Sequence, residues 1–130
     1  MTELNASPLS GQKPATIDEE HLGRMTLGDR SLEREVLEIF ARQTTLTLGR
    51  IAGAKRVCAA AAAHTLKGSA RGIGAWRVAE AAERLEQVAA GDADEQALRA
   101  AIAALEAASQ EVRAAIGVRL GGGGDQSAAA

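Results

Sequence analysis

A chain of 130 residues with a formal net charge of −2 suits one domain with a modest core. The near-neutral balance excludes a dedicated nucleic-acid binder, whose surface must be basic enough to neutralise phosphates. Abundant Ala, Leu, Glu and Arg with one Phe, one Trp and no Tyr favour helix over strand and leave no aromatic platform for stacking bases.

Residues 1–15 are polar and read as a flexible leader without the apolar core of a signal peptide. A short helix follows Pro14, with Thr16 and Glu19 as a capping box and Ile17, Leu22 and Met25 as apolar contacts. A second helix starts at Asp29 or Ser31 and ends between Gly49 and Gly53. Its expected inner stripe is Leu32, Val36, Ile39, Gln43 and Leu46, flanked by Phe40. A third spans Lys55 to Ile73, with Gly72 and Gly74 as stop signals. A fourth runs from Ala75 to Ala90, burying Val78, Ala82, Leu85 and Val88 or Ala89 before Gly91. Asp92 and Glu95 suggest a cap for a fifth helix to Val118, with Leu98, Ile102, Leu105, Val112 and Ile116 inward. Residues 119–130, with the run from Gly121, read as a flexible tail. Short connections make successive helices antiparallel neighbours. The expected fold is therefore all-α, an up-down-up-down four-helix bundle over residues 16–118 with a short extra N-terminal helix. No run of about 18 apolar residues exists to span a membrane, and the single Cys58 fits a reducing compartment. A cytoplasmic monomer is expected.

The segment from Ala63 to Gly74 stands out. At about 100° per residue, His64, Lys67, Gly68 and Arg71 share one face, and Ala59, Ala62, Leu66, Ser69 and Ile73 the other. The second set reads as core. A glycine inside a helix costs about 1 kcal/mol relative to alanine, and nothing on the core face accounts for Gly68. One turn beyond an outward histidine, it leaves the ring open and lets another backbone approach. Lys67 and Arg71 add positive charge suited to a phosphoryl group. There is no Walker pattern and no room for an ATP-binding domain, so the chain is not read as an enzyme that phosphorylates itself from ATP.

His64-Thr65-Leu66-Lys67-Gly68-Ser69-Ala70, followed by Ile73-Gly74, resembles the signature of histidine-containing phosphotransfer (HPt) domains of multistep two-component phosphorelays. The likeness extends from about Thr16 to Val118. It implies that His64 is the phosphoacceptor, Lys67 a helper cation with a lesser role for Arg71, and Gly68 the small residue that admits the partner. It also implies that Glu86, in Arg84-Leu85-Glu86, orients the ring by accepting from Nδ1–H, which leaves Nε2 to attack. The implied partners are receiver domains of hybrid histidine kinases and response regulators. They would supply the magnesium ion and the phospho-aspartate, so no cofactor is expected on this chain.

Other residues have plainer readings. His21 reads as an exposed residue, Cys58 as a small packing residue, Trp76 as interhelix packing and Gln43 as partly exposed. Two histidines and one cysteine, widely separated, do not make a metal site. Val57, Ala60 and Ala61, together with the leading helix from Ile17 to Met25, are the expected docking surface. Two further readings compete: a non-catalytic adaptor of the same fold, and an oligomerising structural bundle. Neither needs an outward histidine, lysine and glycine. The short ordered region and Met1 suit a free protein better than a piece of a hybrid kinase.

Overall fold

Five helices make up nearly all of residues 16–129, the part that the computed structural model describes, with side chains through residue 121. They are α1 (Glu19–Met25), α2 (Arg30–Ile51), α3 (Arg56–Ile73), α4 (Trp76–Ala90) and α5 (Glu95–Ala129). No strand occurs among the described residues. The expected leader, residues 1–15, lies outside them.

Helices α2 to α5 pack in a ring, each against its chain neighbours, and α2 against α5 closes it. This is the up-down-up-down bundle, with α1 laid against α3. The inner faces of α3 and α4 are largely alanine: Ala59, Ala63 and Ala70 meet Ala79, Ala82 and Ala89, all buried. Small side chains let these two helices approach closely, and the site is built on that pair. Among the described residues, no helix is long and apolar enough to cross a membrane.

Three local expectations are corrected. The first helix is capped by Asp18, whose Oδ1 accepts from the His21 N–H at 3.1 Å, and not by a Thr16 box. Tertiary bonds fix that start: the Asp18 N–H donates to the Gly74 carbonyl at 3.0 Å, and Trp76 Nε1 donates to Asp18 Oδ2 at 2.9 Å. The cap of α5 is Asp94, accepting from the Ala97 N–H at 2.9 Å, and not Asp92. Arg56 shapes that turn by donating to the carbonyls of Ala93, Val88 and Gly91. Helix α5 also continues past Val118 to Ala129. Arg119 bridges Glu19 of α1 and Glu33 of α2, and Leu120 packs on the core; both draw the helix beyond its expected end.

The inner stripes shift as well. On α2 the buried positions are Leu37, Phe40, Thr44 and Ile51, while Leu32, Ile39 and Leu46 face outward. Both sets have helical spacing, and only the positions of α3 and α5 decide between them. On α3 the buried residues include Ala63 and Ala70, while Ala62 and Ser69 are half-buried. Met25 is exposed instead of packed.

Two of the plainer readings also change, those of Cys58 and His21, while Trp76 packs between helices as expected. Cys58 is exposed and is not a packing residue. His21 is half-buried, its ring 5.0 Å from that of Trp76, because α1 docks on the α3–α4 turn. Trp76, at the start of α4, joins α1 to α4 through Asp18 and His21 and keeps one side exposed.

Candidate functional site

Helix α3 ends in a left-handed Gly74 at φ 82°, and two residues later α4 starts back antiparallel. The register follows from that tight turn. His64 and Lys67 face Glu86, and Arg71 farther along α3 faces Glu83 earlier on α4.

His64 is the most open polar group of the cluster, with 65% of its side chain exposed. Its Nδ1 lies 2.8 Å from Glu86 Oε2. An ionised carboxylate can only accept, so the proton between them sits on Nδ1, and in the neutral ring Nε2 is the nitrogen that carries the free lone pair. The second oxygen of Glu86, Oε1, accepts from Lys67 Nζ at 2.9 Å. The Lys67 hydrogen bond is the main cause that holds the Glu86 carboxyl below its ordinary pKa, and the His64 bond adds to it against partial desolvation. One carboxylate thus anchors both the ring and the cation. Lys67 is held at 16% side-chain exposure and is not the solvated residue its helix position suggests. Arg71 is turned away from His64, donating to Glu83 at 3.2 Å. Glu83 is absent from the sequence reading. The signal for it was a pair of glutamates three apart on α4, matched by cations four apart on α3.

Gly68 has open space where a Cβ would stand, with nothing within 4 Å. Exposed Ala61 and Thr65 and half-buried Gly72 continue this shallow side of the histidine. The residues expected to form the docking surface are spread along α3, on which α1 packs. Val57 and Ala61 are exposed and Ala60 is half-buried, but they sit at the start of α3. The first residue before α1 is pinned to Gly74 at the other end, about 20 Å along the axis from Ala61 at 1.5 Å per residue. Gln43 is exposed on α2. Among the described residues, no group of three or more His, Cys, Asp or Glu converges as a metal site would require.

The Hpt domain family profile matches residues 32–115, more than half of the chain. The chain belongs to the Hpt domain family. A solved X-ray structure of a histidine-containing phosphotransfer protein from rice superposes on this Hpt domain with a TM-score of 0.69 at 20% identity, covering 88% of this chain and 84% of that one. That likeness concerns the fold. No curated protein matches in sequence. Hpt domains are phosphotransfer modules of two-component signalling, not kinases, and that is the function class of this chain.

Proposed function

We propose that this Hpt domain relays a phosphoryl group between receiver domains through His64. The observation that carries the reading is an exposed imidazole whose Nδ1 is held by Glu86 beside the open face of Gly68. In the forward step, the Nε2 lone pair attacks the phosphorus of an aspartyl phosphate on a receiver. The N–P bond forms, the P–O bond to the aspartate breaks, and the aspartate leaves as a carboxylate. Donation is the reverse, onto the next receiver's aspartate.

Each neighbour has a part in that step. Glu86 accepts from Nδ1–H throughout and supports the positive charge that the ring gains as Nε2 becomes bonded. Lys67 places an ammonium one turn beyond His64, where charge on the transferring oxygens needs it. Arg71 serves at the rim and exchanges Glu83 for partner groups. Gly68, with Ala61 and Thr65, lets the receiver's backbone reach the ring. The receiver brings its own magnesium ion and aspartate, and this chain works in the cytoplasm without a cofactor.

The test is transfer of radiolabelled phosphate from a purified phospho-receiver to this protein and to His64→Gln. Acid-labile, base-stable label on the native chain and none on the variant is the expected outcome. Binding of receivers without transfer to the native chain would overturn the relay in favour of an adaptor.

A further inference from the structure

Two edges of the helix ring lie opposite each other. His64 and Glu86 occupy the α3–α4 edge, and α2 closes against α5 on the far side. That far edge is rich in arginine, although the chain as a whole carries a net charge of −2. Arg30, Arg34 and Arg42 come from α2, and Arg113 and Arg119 from α5. Of these, only Arg119 meets carboxylates among the described residues, 2.5 Å from Glu19 and 2.6 Å from Glu33. Arg113 donates to neutral oxygens, Thr45 Oγ1 at 2.9 Å and the Ser109 carbonyl at 3.4 Å. Arg34 reaches the Leu120 carbonyl at 3.4 Å. Arg30 and Arg42 make no hydrogen bond or ion pair among the described residues, and Glu38, which lies between Arg34 and Arg42 in the chain, pairs with neither. Helix stability does not account for the charges. Arg30 is the first residue of α2, where the helix dipole favours an anion and opposes a cation.

Two hollows lie along this seam. One of about 580 Å³ is lined by Arg30, Arg34 and Arg119 with Glu19, Glu33 and Leu120. The other, of about 410 Å³, is lined by Ala41, Thr45 and Leu46 with Arg42 and Arg113, whose carbon stems can cover apolar surface while the charged heads stay in water. All five cations are arginine, whose planar guanidinium matches a carboxylate in two parallel hydrogen bonds and which is enriched at protein interfaces. From Arg30 to Leu46 the seam runs about 24 Å at 1.5 Å per residue, the length of a chain segment. Glu19, Glu33 and Glu38 on the same side oppose a continuous phosphate backbone, and no aromatic side chain lines the hollows to stack a base.

We infer that the α2–α5 seam docks an acidic segment of a protein partner, with carboxylates on Arg30, Arg34 and Arg42 and an apolar side chain in the hollow over Ala41. The seam is on the edge opposite His64, so the segment leaves the imidazole and Gly68 uncovered. A receiver and the segment then bind at once; that consequence rests on the relay reading, and the docking itself does not.

The probe is a fluorescent peptide of about 16 residues, long enough to follow the seam as a helix, built from Glu and Leu at helical spacing. Anisotropy titration with the full chain reads the affinity, and amide chemical shifts read the place. A Kd below about 1 mM, with shifts on α2 and α5, is the expected result. Peptides with Gln in place of Glu, or Ser in place of Leu, should each bind about tenfold or more weakly. Arg30→Glu combined with Arg42→Gln should weaken binding to a similar degree. Arg30→Glu alone also suits the start of α2, so its urea midpoint should hold or rise while its affinity falls, which separates lost docking from lost folding. His64→Gln should bind the peptide as the native chain does, which keeps the docking separate from phosphotransfer. Shifts confined to α3 and α4, arginine variants that bind as the native chain does, or tighter binding to phosphatidylserine vesicles or duplex DNA than to the peptide would overturn the proposal.

Discussion

Replacing Gly68 by alanine should make the protein more stable and a poorer relay. Gly68 lies inside α3, where glycine is about 0.8–1 kcal/mol less favourable than alanine. A Cβ there meets nothing within 4 Å, so no clash offsets the gain. The variant should unfold at higher urea, by about 0.5–1 kcal/mol, with a thermal midpoint up by a few degrees. The same methyl stands on the open side of His64, where a partner must come close. Single-turnover transfer from a phospho-receiver should therefore slow, and Gly68→Gln, with a longer side chain of good helix propensity, should slow it further. Urea unfolding followed by circular dichroism, beside the transfer assay, reads both effects. Lost stability would show that the site is packed and not open. Unchanged transfer in Gly68→Gln would show that partners do not approach over this residue.

Gly74→Ala should have the opposite effect on stability. Its φ of 82° disfavours a side chain, and the new Cβ would lie 2.9 Å from Asp18 Cβ and 3.1 Å from the Asp18 carbonyl oxygen. About 1–2 kcal/mol of strain, with about 1 kcal/mol for a weakened Asp18–Gly74 hydrogen bond, gives a loss of about 2–3 kcal/mol. Hydrogen exchange should show α1 opening first, and an unaltered α1 would refute the reasoning. Glu86→Gln should change the acid limb of the stability curve. The folded carboxyl is held below its ordinary value, first by Lys67 and then by His64, so its contribution is present above the unfolded glutamate pKa and is lost as pH falls through the folded one. Urea midpoints of wild type and variant should therefore differ at neutral pH and converge below about pH 4.3; parallel curves down to pH 3 would refute it.

The sequence by itself determined the helices and the face on which the chemistry lies. Glycines at 74 and 91, apolar residues at three-and-four spacing and the absence of strand formers are local signals, and local signals decide where a helix begins, turns and stops. The outward set of His64, Gly68 and Arg71 was legible for the same reason: a helix converts spacing into direction without help from the rest of the chain. Where two local patterns were equally good, the sequence could not choose. Helix α2 satisfies helical periodicity twice, and only the placement of α3 and α5 buries Leu37 and Phe40 and leaves Leu32 and Ile39 outside. The caps moved to Asp18 and Asp94 because bonds from Gly74, Trp76 and Arg56, distant in sequence, fix those turns. The partners of the cations were likewise a tertiary matter. Glu86 reaches both His64 and Lys67, and Glu83 takes Arg71, because α4 returns antiparallel at close range along alanine faces. The electrostatics of a site depend on distances between helices, and no single helix carries that information.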